Sequence, residues 1–457
     1  MKLVILGLGT GGIFSAISAR KHDRQISICV IDNKDFEVLH SCGLPYFLEG
    51  RLSSKSIIGN MPDIGAEIML RHEVIAIEPE KKRVCALDKK DKKNSKRIYV
   101  NYDKLIISTG AKAFIPEIAG AEKLIGKCVF KIDSIDDISA LDRSIDGKKK
   151  RIAVIGAGAI GIEVAYALKK RGMDVTVIES MEHSFPNALD LDMAEVAEKH
   201  LKASGIRLIF KARVKGFNSK KGSLDSIDFC CQAGDDPNPD FDVAIIATGT
   251  RPDLKMMQDA GIRCGKLGVL VNKRMQTNYP DIYAVGDIVQ LRSLIDKRPW
   301  VTRLASAAYK QGIVAGANAA GGKRVYDGAL TSFVTKIGDL EIASTGFGSE
   351  DAGTDIITGK AKALTMPEWA GKAEELYVKL IVEKKTHRII GAQAVGFKGA
   401  SHRIDVVSTA IKAGMTVYDL AGLEMCYCPA VSDVYDVLMQ AADNAIRKIE
   451  TAKNRKK

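Results

Sequence analysis

The sequence predicts an α/β chain built from two doubly wound, Rossmann-like units and a C-terminal α+β domain. Three observations predict it. An apolar strand runs into a glycine turn twice, as Gly7-x-Gly9-x-x-Gly12 and as Gly156-x-Gly158-x-x-Gly161. Each copy closes on a later apolar run that ends in Thr-Gly, at Thr109-Gly110 and at Thr248-Gly249. From Ser332 the pattern changes to alternating strands and amphipathic helices, with no further glycine loop. The first glycine lies 103 residues before the closing glycine in one copy and 93 in the other, as expected of two units of similar build.

Taken in order, residues 2–6 form the first strand, and the opening MKLVILGLGTGG reads as a buried strand rather than a signal peptide, having no small-residue cleavage site. A second strand, residues 26–31, ends at Asp32, and residues 105–108 form a third. The second copy starts with a strand at 151–155, continues in a helix to Arg171, and has a strand at 175–178 ending at Glu179. It closes with residues 243–247. In the last domain, residues 334–336, 342–345, 376–382 and 389–394 read as antiparallel strands, and 404–413 and 434–446 as helices. The expected domains are therefore 1–112 with 248–325, an inserted 113–247, and 326–457.

Glycine at these spacings has a physical reason. The first allows the tight turn, the second lets backbone approach a pyrophosphate, and the third lets helix pack on strand. The helix N-terminus then offers its amides to the phosphates. An acid is needed about 20 residues on for the ribose hydroxyls; Asp32 follows Gly12 by 20 residues and Glu179 follows Gly161 by 18. Two such fingerprints predict two dinucleotides and electron transfer between them. The N-terminal copy, together with NYPDIYAVGDIVQ at 278–290, points to FAD. The second, with Glu179 at its strand end, points to NADH over NADPH, because a carboxylate repels a 2′-phosphate.

Composition narrows the remaining classes. The 457 residues are 46% hydrophobic and 27% charged, and no run of eighteen apolar residues offers a membrane span. The net charge of +12 comes from lysine runs at 80–97 and 447–457 without interleaved aromatics, which reads as solvated surface rather than a nucleic-acid site. Nine cysteines without a CxxC pair exclude zinc spacing. Their odd number favours reduced, cytoplasmic thiols.

The pieces GLGTGG, Ser108-Thr109-Gly110, GAGAIGIE, ATGTRP at 247–252 and AVGD at 284–287 resemble the FAD-dependent pyridine nucleotide-disulfide oxidoreductases along essentially the whole chain. Ser41-Cys42-Gly43-Leu44-Pro45-Tyr46 resembles the single-cysteine branch, which contains coenzyme A-disulfide reductases, persulfide reductases and NADH oxidases. Where the two-cysteine type has its second thiol, this sequence has Phe47. The resemblance implies that Gly7, Gly9, Gly12, Asp32, Lys34, Ser41, the Val74 backbone, Thr109, Gly110, Asp287 and Ala305 hold FAD. It implies that Gly156, Gly158, Ile160, Gly161, Glu163, Glu179 and Gly249 hold NADH, with Glu163 near the nicotinamide and NADPH as a possible substitute. The last domain would form a homodimer and carry a C-terminal segment to the partner's active site.

On this reading Cys42 is the redox-active residue, since a working thiol must be a thiolate and residues 42–48 read as a helix start that would favour one. Oxidised Cys42 would hold a mixed disulfide with a small thiol such as coenzyme A, or a sulfenic acid. Tyr427, in Cys426-Tyr427-Cys428, matches a tyrosine of the coenzyme A-disulfide branch; it either protonates the departing thiolate or packs. Cys426 and Cys428 are either small apolar residues or an extra thiol pair that exchanges with Cys42 of the partner. His40 either tunes the thiol or is structural. The first glycine loop lacks the histidine of peroxide-handling relatives, and 366–371 lacks the usual coenzyme A tyrosines. The expected substrate is a small disulfide, persulfide or polysulfide. The alternatives are an NADH oxidase reducing oxygen at the flavin, and an electron-delivering or redox-sensing partner of another protein.

Overall fold

The computed structural model describes residues 1–89, 96–147, 149–230 and 240–455. Cys231 and parts of both lysine runs lie outside them. The chain forms two compact units, Met1–Phe114 with Thr250–Ala329, and Ile115–Gly249 with Leu330–Lys457. The inserted segment and the C-terminal segment thus share one unit.

The first unit is centred on a five-stranded parallel sheet. Lys2–Leu6 lies between Ser27–Ile31 and Lys104–Ile107, with Glu67–Met69 and Ile282–Ala284 at the edges. Leu3, Val4, Ile5 and Leu6 are each at most 1% exposed, and burying such a side chain stabilises by about 1.5–3 kcal/mol. That two-sided burial is why the strand reads as an unbroken apolar run rather than an alternation. Helix Thr10–His22 packs on helix Ala305–Ala319 almost backbone to backbone. A β-carbon on Gly312 would stand 2.6 Å from the Gly11 carbonyl, and one on Gly316 would stand 2.1 Å from that of Ser15. Ser18 donates to the Ile313 carbonyl at 2.8 Å across the same seam.

The second unit repeats the arrangement. Arg151–Ile155 sits between Asp174–Ile178 and Val243–Ile246, with Val129–Lys131 and Arg207–Ile209 outside them, all parallel. The C-terminal part is a five-stranded antiparallel sheet of Phe333–Ile337, Leu340–Gly346, Ile389–Gly396, Glu375–Glu383 and Ile356–Leu364. The last of these strands is absent from the sequence reading. The terminal helix, Val437–Asn454, starts three residues later than expected and runs eight further, because the Asp436 side chain caps it through the Leu438 amide.

A buried ion cluster joins the inserted and C-terminal segments. Lys379, on a central strand and 4% exposed, pairs with Asp190 and, at 2.9 Å, with Asp192. Asp190 also accepts from the Ser349 amide at 2.9 Å and hydroxyl at 2.6 Å, while its own amide donates to Gln393 at 2.9 Å. Burial raises the Asp190 carboxyl, but the bonds from Lys379 and Ser349 and the Lys379 charge outweigh it and hold the group below the usual carboxylate value. A carboxyl depressed in the folded state stabilises above its unfolded value and loses that stabilisation as pH falls through the folded one. The cluster therefore acts at neutral pH and weakens below about pH 4. Lys379→Met leaves the half-buried Asp190 with only its Ser349 bonds, and is expected to cost about 1–3 kcal/mol. A clear drop in thermal midpoint at pH 7 that shrinks in acid is the expected result, and partial recovery in Lys379→Met/Asp190→Asn the check.

Candidate active site

Each glycine loop is shaped by contacts that only hydrogen atoms permit. A β-carbon on Gly12 would lie 2.0 Å from the Gly7 carbonyl, and one on Gly161 would lie 2.0 Å from that of Gly156. Gly7 and Gly156 have φ of +97° and +107° and abut Ser108 and Ala247, the residues that follow strands Lys104–Ile107 and Val243–Ile246. The middle glycines differ: a β-carbon on Gly9 or Gly158 would meet nothing within 4 Å. That open space lies above helix N-termini with no side-chain cap and no acid in the first turn. Ser134, Thr416 and Asp436 cap other helices, while Leu191–Ala203 and Ala400–Ala413 are also uncapped, so the open glycine and the free amides together mark the cradles. Uncapped amides behind an open glycine are what a pyrophosphate requires.

The two acids do more than their spacing implies. Asp32 accepts from the Leu8 amide at 2.6 Å, the Lys34 amide at 2.9 Å and the Lys34 ammonium at 3.1 Å. Glu179 accepts from the Ala157 amide at 2.7 Å, the Met181 amide at 2.9 Å and the Ser180 hydroxyl at 3.0 Å. In both copies the acid ties down the residue after the first glycine. Gly110 and Gly249 have φ of +69° and +94° and nothing within 4 Å of an added β-carbon. Thr109, Ser41 and Ala305 are exposed, and Ile160, in the first turn of its helix, is 40% exposed. Val74 sits where the strand His72–Glu78 bulges between Val74 and Ala76.

Asp287 lies in the turn Gly286–Ile288, held by the Gly286 amide donating to Gln311 at 2.8 Å. Burial pushes its carboxyl up, against a partial offset from the Arg303 guanidinium. Arg303, which the sequence reading missed, has a left-handed φ of +48°. Its buried Nε has no hydrogen-bond partner among the described residues. An orphaned donor beside a raised carboxyl marks a polar space shaped for a bound group, and together with the Gly9 cradle it fits FAD in this unit. In the second unit, Glu163 accepts from the Thr335 hydroxyl at 2.5 Å and burial pushes its carboxyl up. With the Gly158 cradle, it fits a nicotinamide dinucleotide there.

Cys42 is exposed and lies in a tight 3₁₀ turn, Ser41–Gly43, rather than inside an α-helix. The helix begins at Leu44 and spans Leu44–Leu48, because Pro45 fits only a first turn. Gly43 is pressed against Ile57, whose methyl would stand 2.6 Å from an added β-carbon. Tyr46, one turn on, carries the Arg51 guanidinium over its ring at 5.0 Å, while His40 is exposed. By contrast Cys29, Cys85 and Cys128 are buried; burial pushes the Cys29 thiol up to about 11 and raises those of Cys128 and Cys264. Tyr427, Cys426 and Cys428 are all exposed and belong to the second unit, whereas Cys42 belongs to the first.

Two dinucleotide cradles in one chain define an oxidoreductase that passes electrons between bound dinucleotides. Residues 1–312 match the pyridine nucleotide-disulphide oxidoreductases and residues 333–438 match their dimerisation domain, and the chain belongs to this family. It is similar to an NADH oxidase of Methanocaldococcus jannaschii, 36% identical over 98% of this chain and 99% of the relative. It is also similar to a Pyrococcus furiosus protein named NAD(P)H sulfur oxidoreductase (CoA-dependent), 30% identical over 96% of this chain and 98% of the relative. Among solved structures, a NAD-dependent persulfide reductase from A. fulgidus superposes with a TM-score of 0.92 at 31% identity, covering 99% of this chain and 84% of that one. The protein is an FAD-dependent NAD(P)H oxidoreductase. Among the described residues, no helix is long and apolar enough to cross a membrane.

If the second cradle holds the nicotinamide dinucleotide, Glu179 should govern a preference that can be measured. Hydrogen bonds to a charged group are worth about 1.5–3 kcal/mol, so Glu179→Ala is expected to lower kcat/KM for NADH roughly 10- to 100-fold. Adding Ser180→Arg should bring NADPH turnover above NADH turnover, since an arginine accommodates the 2′-phosphate.

Proposed function

We propose that this protein reduces a small disulfide, persulfide or polysulfide with NADH, NADPH serving less well, and that coenzyme A disulfide is the first candidate. The single observation that carries the reading is Cys42: an exposed thiol in a braced turn of the first unit, with phenylalanine where a second cysteine would stand. FAD, held by residues 1–112 and 248–325, supplies hydride acceptance from the nicotinamide and two-electron delivery to sulfur. The Cys42 thiolate attacks one substrate sulfur, the substrate S–S bond breaks, and one thiol leaves while the other stays on Cys42 as a mixed disulfide. Residues 113–247 hold NADH against Glu179, and residues 326–457 dimerise.

Tyr427 and Cys428 of the second subunit complete the site on this reading. Tyr427 donates its proton to the departing thiolate, and Cys428 stands ready to exchange with the mixed disulfide. The exposure of this segment supports a paired surface: Leu423, Tyr427, Val431, Val434 and Tyr435 are 39%, 48%, 64%, 70% and 48% exposed. Burying such a run against a second copy is what apolar surface favours.

A second reading, NADH oxidase, is favoured by the name of the 36% identical relative. The first glycine loop, Leu8-Gly9-Thr10-Gly11, has no histidine to handle peroxide and weighs against it. Steady-state assays decide. Under argon, NADH oxidation with coenzyme A disulfide or polysulfide is expected to exceed oxidation in air without a sulfur acceptor. Tyr427→Phe is expected to lower the sulfur-dependent rate roughly 10²-fold and leave the oxygen rate alone. Oxygen turnover that outruns every sulfur acceptor would overturn the disulfide reading.

A further inference from the structure

Cys426 has no part in the reaction above, although it lies two residues from Cys428. Both thiols are exposed, on either side of Tyr427. The Cys426 carbonyl accepts from the Ser432 hydroxyl at 3.0 Å. The Cys428 carbonyl accepts the amides of Val431 at 2.8 Å and Ser432 at 2.9 Å. The backbone is therefore tied at both cysteines, and the pair is presented on a braced turn. Cys29, Cys85 and Cys128, by contrast, are buried.

We propose that Cys426 and Cys428 form a second redox centre, a dithiol that a small disulfide converts to an internal disulfide. The proposal deepens the reading above and rests on it only for the substrate class. The Cys428 thiolate attacks one sulfur of R–S–S–R, the substrate S–S bond breaks, and the first RS⁻ leaves. The Cys426 thiolate then attacks the Cys428 sulfur, the mixed disulfide breaks, and the second RS⁻ leaves. The two protons shed by the cysteines end on the two departing thiolates, so the substrate gains two electrons and the pair loses two. NADH returns them: the disulfide, NADH and one proton give two thiols and NAD⁺.

Spacing and exposure set the character of this bond. Two residues of chain separate α-carbons by at most about 7 Å, and a disulfide takes up roughly 4.4–6.8 Å, so the spacing permits a bond. Both cysteines are exposed, so the closed bond is open to thiol–disulfide exchange from solvent. A bond of that kind turns over; it does not brace a fold.

Tryptic residues 413–447 contain Cys426 and Cys428 and no other cysteine, which makes the test direct. The reduced, desalted full-length protein is treated under argon with 2-hydroxyethyl disulfide, quenched in acid, alkylated with N-ethylmaleimide and digested. The expected result is a peptide that has lost both maleimide adducts and is two hydrogens lighter than the dithiol. Anaerobic NADH added before the quench should restore both adducts. Cys426→Ser, with flavin content checked to confirm folding, should trap hydroxyethylthiol on Cys428. Recovery of two alkylated thiols, or a mixed disulfide persisting in the unaltered protein, would overturn the proposal. The same peptide read in Cys42→Ser separates the two accounts. Oxidation of the pair there stands whether or not Cys42 is the primary thiol, and an adduct on residues 35–51 forms whether or not the pair closes.

Discussion

Cys42→Ser is expected to lower sulfur-dependent NADH oxidation on the order of 10³-fold or more, the scale on which loss of a covalent nucleophile acts. A hydroxyl at this position cannot form the mixed disulfide, and serine has no accessible anion near neutral pH to attack sulfur. The flavin should stay bound, because Gly12 packed on the Gly7 carbonyl shapes the first loop and the Gly286 amide on Gln311 holds the Asp287 turn, and the substitution touches none of these residues. The fold should hold too, since the turn is braced by Gly43 against Ile57 and by the Gly43 amide on the His40 carbonyl at 2.7 Å. The checks are flavin absorbance per subunit and anaerobic NADH turnover with coenzyme A disulfide. Turnover preserved in this variant would move the chemistry to another thiol.

The next largest effect separates the two cradles. In Gly12→Ala the new methyl carbon must stand 2.0 Å from the Gly7 carbonyl, and in Gly161→Ala it must stand 2.0 Å from that of Gly156. Neither neighbour is a flexible side chain, so helix and loop must part. Overpacking of this kind costs about 1–3 kcal/mol, equivalent to a loss of about 5- to 150-fold in affinity at the cradle concerned. If the first unit holds FAD, Gly12→Ala is purified largely without flavin, and added FAD restores activity only at raised concentration. If the second holds NADH, Gly161→Ala keeps its flavin and its colour, and its KM for NADH rises. Flavin loss in Gly161→Ala with retention in Gly12→Ala would reverse the allocation.

The parts of the fold that were legible in the sequence are those with a local steric cause. Glycines 7, 12, 156 and 161 are required by backbone contacts a few residues or one strand away, and Asp32 and Glu179 stand at a fixed distance along the same motif. The three inner strands of each parallel sheet read as apolar runs because both faces are buried, whereas the edge strands Glu67–Met69, Ile282–Ala284, Val129–Lys131 and Arg207–Ile209 are absent from the sequence reading. The sequence reading starts the helix beside Cys42 two residues early, where Pro45 in its first turn could have placed the start at Leu44. The close helix seam is absent from that reading too, although Gly312 and Gly316, four apart on one helix, could have signalled it.

Other features have no local signature. Lys379 is a buried charge on a strand that reads as ordinary alternation, and its partner Asp190 lies 189 residues away in sequence. Arg303 draws notice only through a left-handed backbone and an orphaned Nε, neither of which a sequence displays. That the two acids fasten the Leu8 and Ala157 amides follows from folded geometry alone.

The central claim is that Cys42 takes the substrate covalently and that NADH frees it. Tryptic residues 35–51 contain Cys42 and no other cysteine, so the mass of that peptide tests the claim most directly. Protein oxidised with coenzyme A disulfide and desalted under argon should carry coenzyme A on this peptide in every subunit, and anaerobic NADH should release it as free thiol. A peptide that never acquires the adduct, or an adduct that NADH leaves in place, would contradict the account.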